Sequence, residues 1–567
     1  MITGIAASPG IAIGQILMIK NDQLNISKLT CKDSSAQLKK LKVAIDQSVL
    51  ELQAIQEKAL KELGAEEAEI FSAHLLLLQD PEILSQVNQM IETKFVNASW
   101  AIESVVKDVV TMFESMDDEY MKARATDVKD VFTRVLNHLE GITNTDLSKL
   151  DSDVILICDD LTPSQTATMN KKYVLGFLTN QGGKTSHSAI MARTMEIPAI
   201  VGLSSITNKV KNSDIIALNG STGELIINPS DQELDEFKAL KNKYQSGLDD
   251  LKKFIGKKAT TTDGFTTVLA GNLGSYQDLE SFHQNDAESV GLYRTEFLYM
   301  DRDSMPTENE QYEVYSKVLK SLTDKECVIR TLDIGGDKNL PYLKIKNEEN
   351  PFLGYRAIRL CLKQTDIFKA QLRALLRASV HGNMAIMFPM ISCLEELQMA
   401  LQTLDDCKSE LENESIPFSK TIKVGMMIEV PSAALITDVL AKYVDFFSLG
   451  TNDLTQYTCA VDRNNPKVQE LYNPFNPGLL RLIHMVAKNA NEKNINVSVC
   501  GSVAHHPTLV PFFIGIGINK LSMSAMHILK TKEQIINLTK STCEKIAREV
   551  LKLETAEQIE NYLLENQ

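Results

Sequence analysis

Hydrophobic positions change their period twice along this chain of 567 residues. Residues 1–20 run in short β-like stretches, Gly4-Ile5-Ala6 and Ile11-Ala12-Ile13-Gly14, parted by the turn Ser8-Pro9-Gly10. From about Asn21 to Gly141 glycine becomes scarce and the spacing turns helical. Phe71, His74, Leu75 and Leu78 fall on one face there, and Val105, Val109, Met112 and Phe113 on another. Strand-like runs resume at Val154 to Ile157, Val174 to Thr179, Pro198 to Gly202, Asp214 to Leu218 and Gly223 to Ile227. A mixed α/β domain (1–20 and 142–230) interrupted by a helical insert (21–141) is the reading this pattern gives. Asp231 to Gly256 is charged, with Leu234, Phe237, Leu240, Tyr244, Leu248 and Leu251 at helical spacing, and suits a connecting helix over 231–258.

After Thr260 the pattern changes again. Short apolar runs alternate with helical ones: Val268 to Leu273, Val290 to Arg294, Val328 to Asp333, Ile386 to Met390, Val424 to Glu429, Phe446 to Gly450, Val497 to Cys500 and Leu521 to Ser524. Strands and helices taking turns over this length predict a (β/α)8 barrel across 259–567. The whole is an α/β multidomain protein. The amphipathic stretch from Thr531 to Leu564 suits either packing on the barrel or a partner surface.

Composition narrows the function. The chain has 44% hydrophobic and 23% charged residues and a net charge of −15, which argues against nucleic acid as a partner. Residues 21–140 hold 13 Lys and Arg against 21 Asp and Glu, so much of the acidity lies in the helical insert. No apolar run approaches membrane-spanning length, and the first residues lack the charged-then-apolar pattern of a signal peptide. Nine cysteines stand without a CxxC pair, as reduced thiols do; a cytoplasmic protein with no membrane insertion is expected.

Two places carry candidate chemistry. Gly182-Gly183-Lys184-Thr185-Ser186-His187 follows a strand-like run and leads into a short helical pattern. Thr185 or Ser186 can cap that helix, placing His187 at an N-terminus, where free N–H groups favour a neutral imidazole and attract anions. A neutral imidazole can attack phosphorus; the simpler alternative is a capping loop whose histidine satisfies a buried carbonyl. The second place is the ring of polar residues at the carboxyl ends of the barrel runs, where such barrels do chemistry. Glu429 and Asp453 form a carboxylate pair suited to Mg²⁺, while Arg294, Arg330 and Arg463, with Arg356, offer forks for phosphate and carboxylate oxygens. Arg302 and Arg359 are expected to pair with acids around the mouth. Cys500 is either an inert buried thiol or a proton donor to carbon.

These motifs carry a resemblance that runs nearly end to end. Gly4-Ile5-Ala6-Ala7-Ser8-Pro9-Gly10, Asp159-Asp160-Leu161-Thr162-Pro163-Ser164, the His187 segment, Gly291-Leu292-Tyr293-Arg294-Thr295-Glu296-Phe297-Leu298, Arg330-Thr331-Leu332-Asp333-Ile334-Gly335-Gly336-Asp337-Lys338, Asn350-Pro351-Phe352-Leu353-Gly354-Tyr355-Arg356-Ala357 and the run from Asp445 to Tyr457 resemble enzyme I of the bacterial phosphoenolpyruvate-dependent sugar phosphotransferase systems. The resemblance implies a swivelling phosphohistidine domain, an inserted helical domain that binds the phosphocarrier HPr, a linker helix, and a phosphoenolpyruvate-binding barrel that dimerises. It implies that His187 takes the phosphoryl group on Nε2 and passes it to a histidine of HPr. It also implies substrate contacts at Arg294, Arg330, Asn452, Asp453 and Arg463, Mg²⁺ ligands at Glu429 and Asp453, and a proton donor at Cys500 that completes pyruvate.

Some positions depart from the family pattern. Lys184 replaces an arginine, Gln165 an acidic residue beside Thr166, Ser502 a glutamate after Cys-Gly, and Asn519-Lys520 an acidic pair. Loss of a negative charge at Ser502 is expected to favour the thiolate of Cys500. Two other functions stay in view. Phosphoenolpyruvate synthases and pyruvate phosphate dikinases share the phosphohistidine and barrel parts but need a large ATP-binding domain, and no glycine-rich nucleotide loop stands here. A regulatory protein that senses phosphoenolpyruvate without turnover is the third reading.

Overall fold

Period-2 alternation builds the first sheet, and its two faces explain why nearly every strand position is apolar. The computed structural model describes every residue except 1, 20–25, 63–70, 72–73, 115–118, 142–146, 148–149, 162–164, 166–168, 171, 184–185, 187, 190–191, 194–196, 301, 303, 336–341, 344–347, 464, 466–467 and 567. It divides into two units, Met1–Asp249 and Asp250–Gln567.

In the first unit the strands are β1 (Ile2–Thr3), β2 (Ile5–Ser8), β3 (Ile11–Met18), β4 (Val154–Cys158), β5 (Val174–Thr179), β6 (Ala199–Val201), β7 (Ile215–Asn219) and β8 (Glu224–Ile227). They form one sheet in the order β1-β8-β7-β3-β4-β5-β6-β2, with β3 to β6 parallel and the flanks antiparallel. Leu156 and Phe177 join a cluster on one face with Ala189 and Ala192, while Ile155, Ile157 and Leu178 join Ile206 and Leu218 on the other. Burial on both faces is what a central parallel strand needs, and it removes the polar alternation a half-exposed sheet keeps.

Between β3 and β4 run the helices Ser34–Glu62, Pro81–Lys94, Ala98–Glu114 and Glu119–Glu140. Their core holds Leu52, Phe71, Leu78, Val87, Ile91, Ile102, Val105, Val128 and Phe132. His74 is wholly buried, with Nε2 3.6 Å from Asp127 and Nδ1 3.9 Å from Asp130. Met112, expected on the inner face, is 48% exposed; it lies one position beyond the stripe that Val105, Val106, Val109 and Val110 bury. The connecting helix runs over Asp231–Leu251. Phe237 packs with Ile11 and Ala217, but Leu240 and Tyr244 on the same stripe are exposed, so only its first turns find a core.

The second unit is a closed barrel of eight parallel strands: β10 (Thr266–Leu273), β11 (Ser289–Tyr293), β12 (Cys327–Arg330), β13 (Met384–Phe388), β14 (Lys423–Ile428), β15 (Phe446–Leu449), β16 (Asn496–Val499) and β17 (Lys520–Met523). Pairing of β10 with both β11 and β17 closes it, and β9 (Ala259–Thr260), too short to leave a periodic signal, adds antiparallel to β10. Leu292, Val328, Ala385, Met387, Met427 and Cys500 fill the interior with Phe446. The opposite positions, including Val290, Ile329, Ile386, Phe388, Met426 and Ile428, meet the helices. The C-terminal helices Lys540–Val550 and Ala556–Glu565 bury Cys543, Ile546, Ala547, Val550, Ile559 and Leu563 in that same core.

Candidate functional site

Both candidate places can be built from the backbone outward. In the first unit, His187, Lys184, Thr185 and Thr166 lie outside the described residues, as do Thr162, Pro163 and Ser164. The frame around them is described. Gly182 has φ +102°, where an L side chain is strained, and a Cβ there would meet Ser186 Oγ at 2.9 Å. Ser186 Oγ accepts from the Ala189 amide at 3.3 Å, the capping bond expected of this pair. Arg193 donates to the Ala7 carbonyl at 3.0 Å and Ser8 Oγ to the Ala192 carbonyl at 3.3 Å, so the N-terminal motif braces the helix that follows position 187. Asn180 donates to Asp159 and to Thr207 Oγ1, fixing the approach to the glycines.

In the barrel, strand ends bring most of the ring together. Asp333 is the hub: it accepts from Arg356 at 2.7 Å and pairs with Arg330 at 2.9 Å. Arg330 also donates to Glu296 at 2.9 Å, and all of these groups are buried. Burial alone would weaken the Arg330 charge, but Glu296 and Asp333 more than offset it and hold the guanidinium cationic. Arg356 and Arg463 reach Asp453 Oδ1 at 3.6 and 3.7 Å. Arg294 stands apart, exposed at the mouth with its guanidinium 5.2 Å from the Phe297 ring centre. The expectation for the two remaining arginines splits. Arg302 pairs with Glu310 at 2.6 Å, whereas Arg359 donates to the Leu353 and Gly354 carbonyls, which the turn after Asn350 presents to it.

Glu429 is completely buried; its Oε1 accepts from the Met390 amide at 2.6 Å while Oε2 has no hydrogen-bond partner. Burial pushes its carboxyl up to about 8, Asp333 and Asp453 add to this, and Arg330 and Arg356 counteract it in part. Asp453 Oδ1 is likewise buried without a hydrogen bond. A Cβ on Gly450 would stand 2.7 Å from Glu429 Oε2, so glycine leaves that oxygen open. Glu429 Oε2, without a partner, and Asp453 Oδ1, held only by the longer ion pairs to Arg356 and Arg463, form a donor set that a divalent cation satisfies.

Cys500 is 6% exposed and donates its thiol to the Leu449 carbonyl at 3.4 Å. Burial pushes the thiol up to about 11, Ser448 and Arg330 draw it back, and Glu429 and Asp453 raise it. Burial thus outweighs the Arg330 cation and favours the protonated thiol. Ser502 turns instead to Asn452, whose Oδ1 accepts from its amide at 3.0 Å and its hydroxyl at 2.8 Å.

Sequence reasoning had assigned no role to Glu296, Asn272 or Tyr472. Glu296 sits two residues after Arg294, a spacing that could have marked it as a carboxylate beside the cationic cluster. Asn272 accepts from Ser522 Oγ at 2.5 Å, and Tyr472 donates to the Asn452 carbonyl at 3.2 Å while bonding Arg463; no local pattern announces either.

Three family models match the chain: PEP-utilising enzyme, N-terminal, over residues 3–124; PEP-utilising enzyme, mobile domain, over 150–223; and PEP-utilising enzyme, PEP-binding domain, over 249–540. Among curated relatives, the phosphoenolpyruvate-protein phosphotransferase of Geobacillus stearothermophilus is 46% identical over 562 residues, covering 99% of this chain and 97% of that protein. The enzyme of the same name from Bacillus subtilis is 46% identical, covering 99% of both, and that of Enterococcus faecalis is 47% identical over 555 residues, covering 97% and 96%. With a barrel whose mouth gathers arginines around a pair of buried carboxyl groups, and likeness along almost its whole length, the chain belongs to the phosphoenolpyruvate–protein phosphotransferases, the enzyme I family.

Proposed function

We propose that this protein transfers the phosphoryl group of phosphoenolpyruvate to its own His187 and then to a histidine of the carrier HPr, releasing pyruvate as the first step of a phosphotransferase system. The observation that carries the reading is the barrel mouth, where Arg330 is held cationic beside Glu429 and Asp453, each with a buried oxygen that makes no hydrogen bond. Substrate phosphate and carboxylate oxygens meet Arg294, Arg330, Arg463 and the Asn452 amide. Glu429 and Asp453 would hold Mg²⁺, which would neutralise charge on the phosphate oxygens; a pair of carboxylates with room for water and substrate oxygens fits that ion.

The covalent change is small. The bond from phosphorus to the enol oxygen breaks as the bond from phosphorus to His187 Nε2 forms, and the enolate takes a proton at its terminal carbon from Cys500. A buried thiol pushed up to about 11 still carries that proton at neutral pH, and the resulting thiolate is stabilised by Arg330 until solvent reprotonates it. Because His187 belongs to the first unit and the mouth to the second, the histidine travels, with swivelling about the segments near Pro229 and Lys258. The domains assigned by this reading are 1–20 with 142–230 for the phosphohistidine, 21–141 for HPr docking through its acidic helices, 231–258 as linker, and 259–567 for phosphoenolpyruvate and homodimer contacts. A cytoplasmic location follows from the partners.

One assay tests the reading. The protein is incubated with Mg²⁺ and phosphorus-labelled phosphoenolpyruvate, with and without HPr. Acid-labile, base-stable label that moves to HPr and disappears in His187→Ala is expected. Label that needs ATP would instead support a dikinase, and no label a sensor.

A further inference from the structure

We propose that Ser502 is a positioning residue for the substrate-binding amide of Asn452: it holds that side chain with Oδ1 turned to Ser502, so that Nδ2 faces the anion. The inference rests on the reading of the barrel mouth as the phosphoenolpyruvate site. A carboxamide can present either its oxygen or its nitrogen to a ligand, and a negatively charged ligand needs the nitrogen. The choice is made by the Ser502 backbone N–H, which can only donate; at 3.0 Å it requires an oxygen opposite. The Ser502 hydroxyl donates to the same atom at 2.8 Å. With Oδ1 held by two donors, turning the amide over would set its NH₂ against an N–H. Among the described residues, the Nδ2 hydrogens have no protein acceptor, which leaves them for a ligand.

A second bond holds the same residue from behind, as the Tyr472 hydroxyl donates to the Asn452 carbonyl at 3.2 Å. Asn452 stands in the helix Thr451–Cys459 beside Asp453, so its amide shares a fixed backbone with a carboxylate of the mouth. The chemistry also gives meaning to serine where the family resemblance places glutamate. A carboxylate has no proton to donate; it would compete for Nδ2 and add negative charge next to a phosphate and a carboxylate. Serine orients the amide without charge.

The test uses the full-length protein with Mg²⁺, phosphoenolpyruvate and HPr. Ser502 is exposed, so its variants are expected to fold. Ser502→Ala removes the hydroxyl donor alone and is expected to raise KM for phosphoenolpyruvate about 2- to 10-fold, the loss of one neutral hydrogen bond, with kcat within about 2-fold. Ser502→Thr, which keeps the hydroxyl, is expected to restore KM. Asn452→Ala is expected to weaken substrate binding more strongly, and adding Ser502→Ala to it is expected to change nothing further. If Asn452→Ala binds phosphoenolpyruvate as wild type does, the site reading itself fails. If Asn452→Ala weakens binding but Ser502→Ala leaves KM unchanged, lowers only kcat, or adds its full effect on top of Asn452→Ala, the positioning role is overturned while the site stands. Failure of threonine to rescue overturns it too.

Discussion

Replacing Cys500 by alanine separates proton delivery from every other task of the barrel mouth. The thiol sits against the Leu449 carbonyl, 6% exposed, and burial pushes it up to about 11. Near neutral pH the group therefore keeps its proton and is a donor in waiting, not a nucleophile. Losing a positioned general acid costs about 10²- to 10⁴-fold in rate, or about 3–5 kcal/mol of barrier. Losing the sulfur atom itself leaves a small void worth about 1 kcal/mol of stability, too little to unfold the barrel. Pyruvate release in the presence of excess HPr should thus fall at least about 100-fold, with KM for phosphoenolpyruvate nearly unchanged. With phosphoenolpyruvate bearing one tritium stereospecifically at its terminal carbon, turnover in deuterium oxide by wild type should give a chiral methyl group of one configuration, while Cys500→Ala leaves protonation to solvent and scrambles that configuration. The alkaline side of the wild-type rate profile should show no loss from this group until the pH nears 11. Turnover of Cys500→Ala within threefold of wild type, or unchanged facial selectivity, refutes the role.

Two further outcomes follow from the same geometry. Gly450→Ala puts a methyl 2.7 Å from Glu429 Oε2 and 2.8 Å from Met427 Sδ, closing the open carboxylate oxygen; Mg²⁺ affinity read by isothermal titration should fall at least about 10-fold, and the overpacked contacts should lower the thermal midpoint as well. The imidazoles of His505 and His527 stack 3.8 Å apart, and burial pushes His505 down to about 4, with His527, His506 and Lys530 adding to it while Glu560 faces His506. Because the folded ring refuses a proton that the unfolded chain accepts, stability is complete above about pH 6.5 and declines as pH falls toward 4. The barrel should lose about 2 kcal/mol between pH 7 and pH 5 in urea titrations, and His505→Phe should shrink that loss; an equal loss in both proteins removes the stack as its cause.

The barrel strands were legible one by one. Each runs for four to eight residues, mostly apolar on both faces, and several end where a polar residue appears, so Glu429, Asp453 and Cys500 could be placed at the mouth without coordinates. The helical stripes were legible only in part, since Met112, Leu240 and Tyr244 satisfy the spacing yet remain exposed. A period of 3.6 identifies a face, but how much of it is covered depends on where the neighbouring element ends.

By itself the sequence determined what each segment could become: its period, its glycine turns such as Gly182, and the residue types available for chemistry. Tertiary structure decided which of those residues act on one another. Asp333 became a bridge between Arg330 and Arg356, two chain segments apart, and Ser502 turned from the Cys500 thiol to the Asn452 amide. The physical reason is range. Hydrophobic periodicity is written in neighbours a few positions apart, whereas charge pairing, burial and donor direction are set by atoms that meet only after the barrel closes.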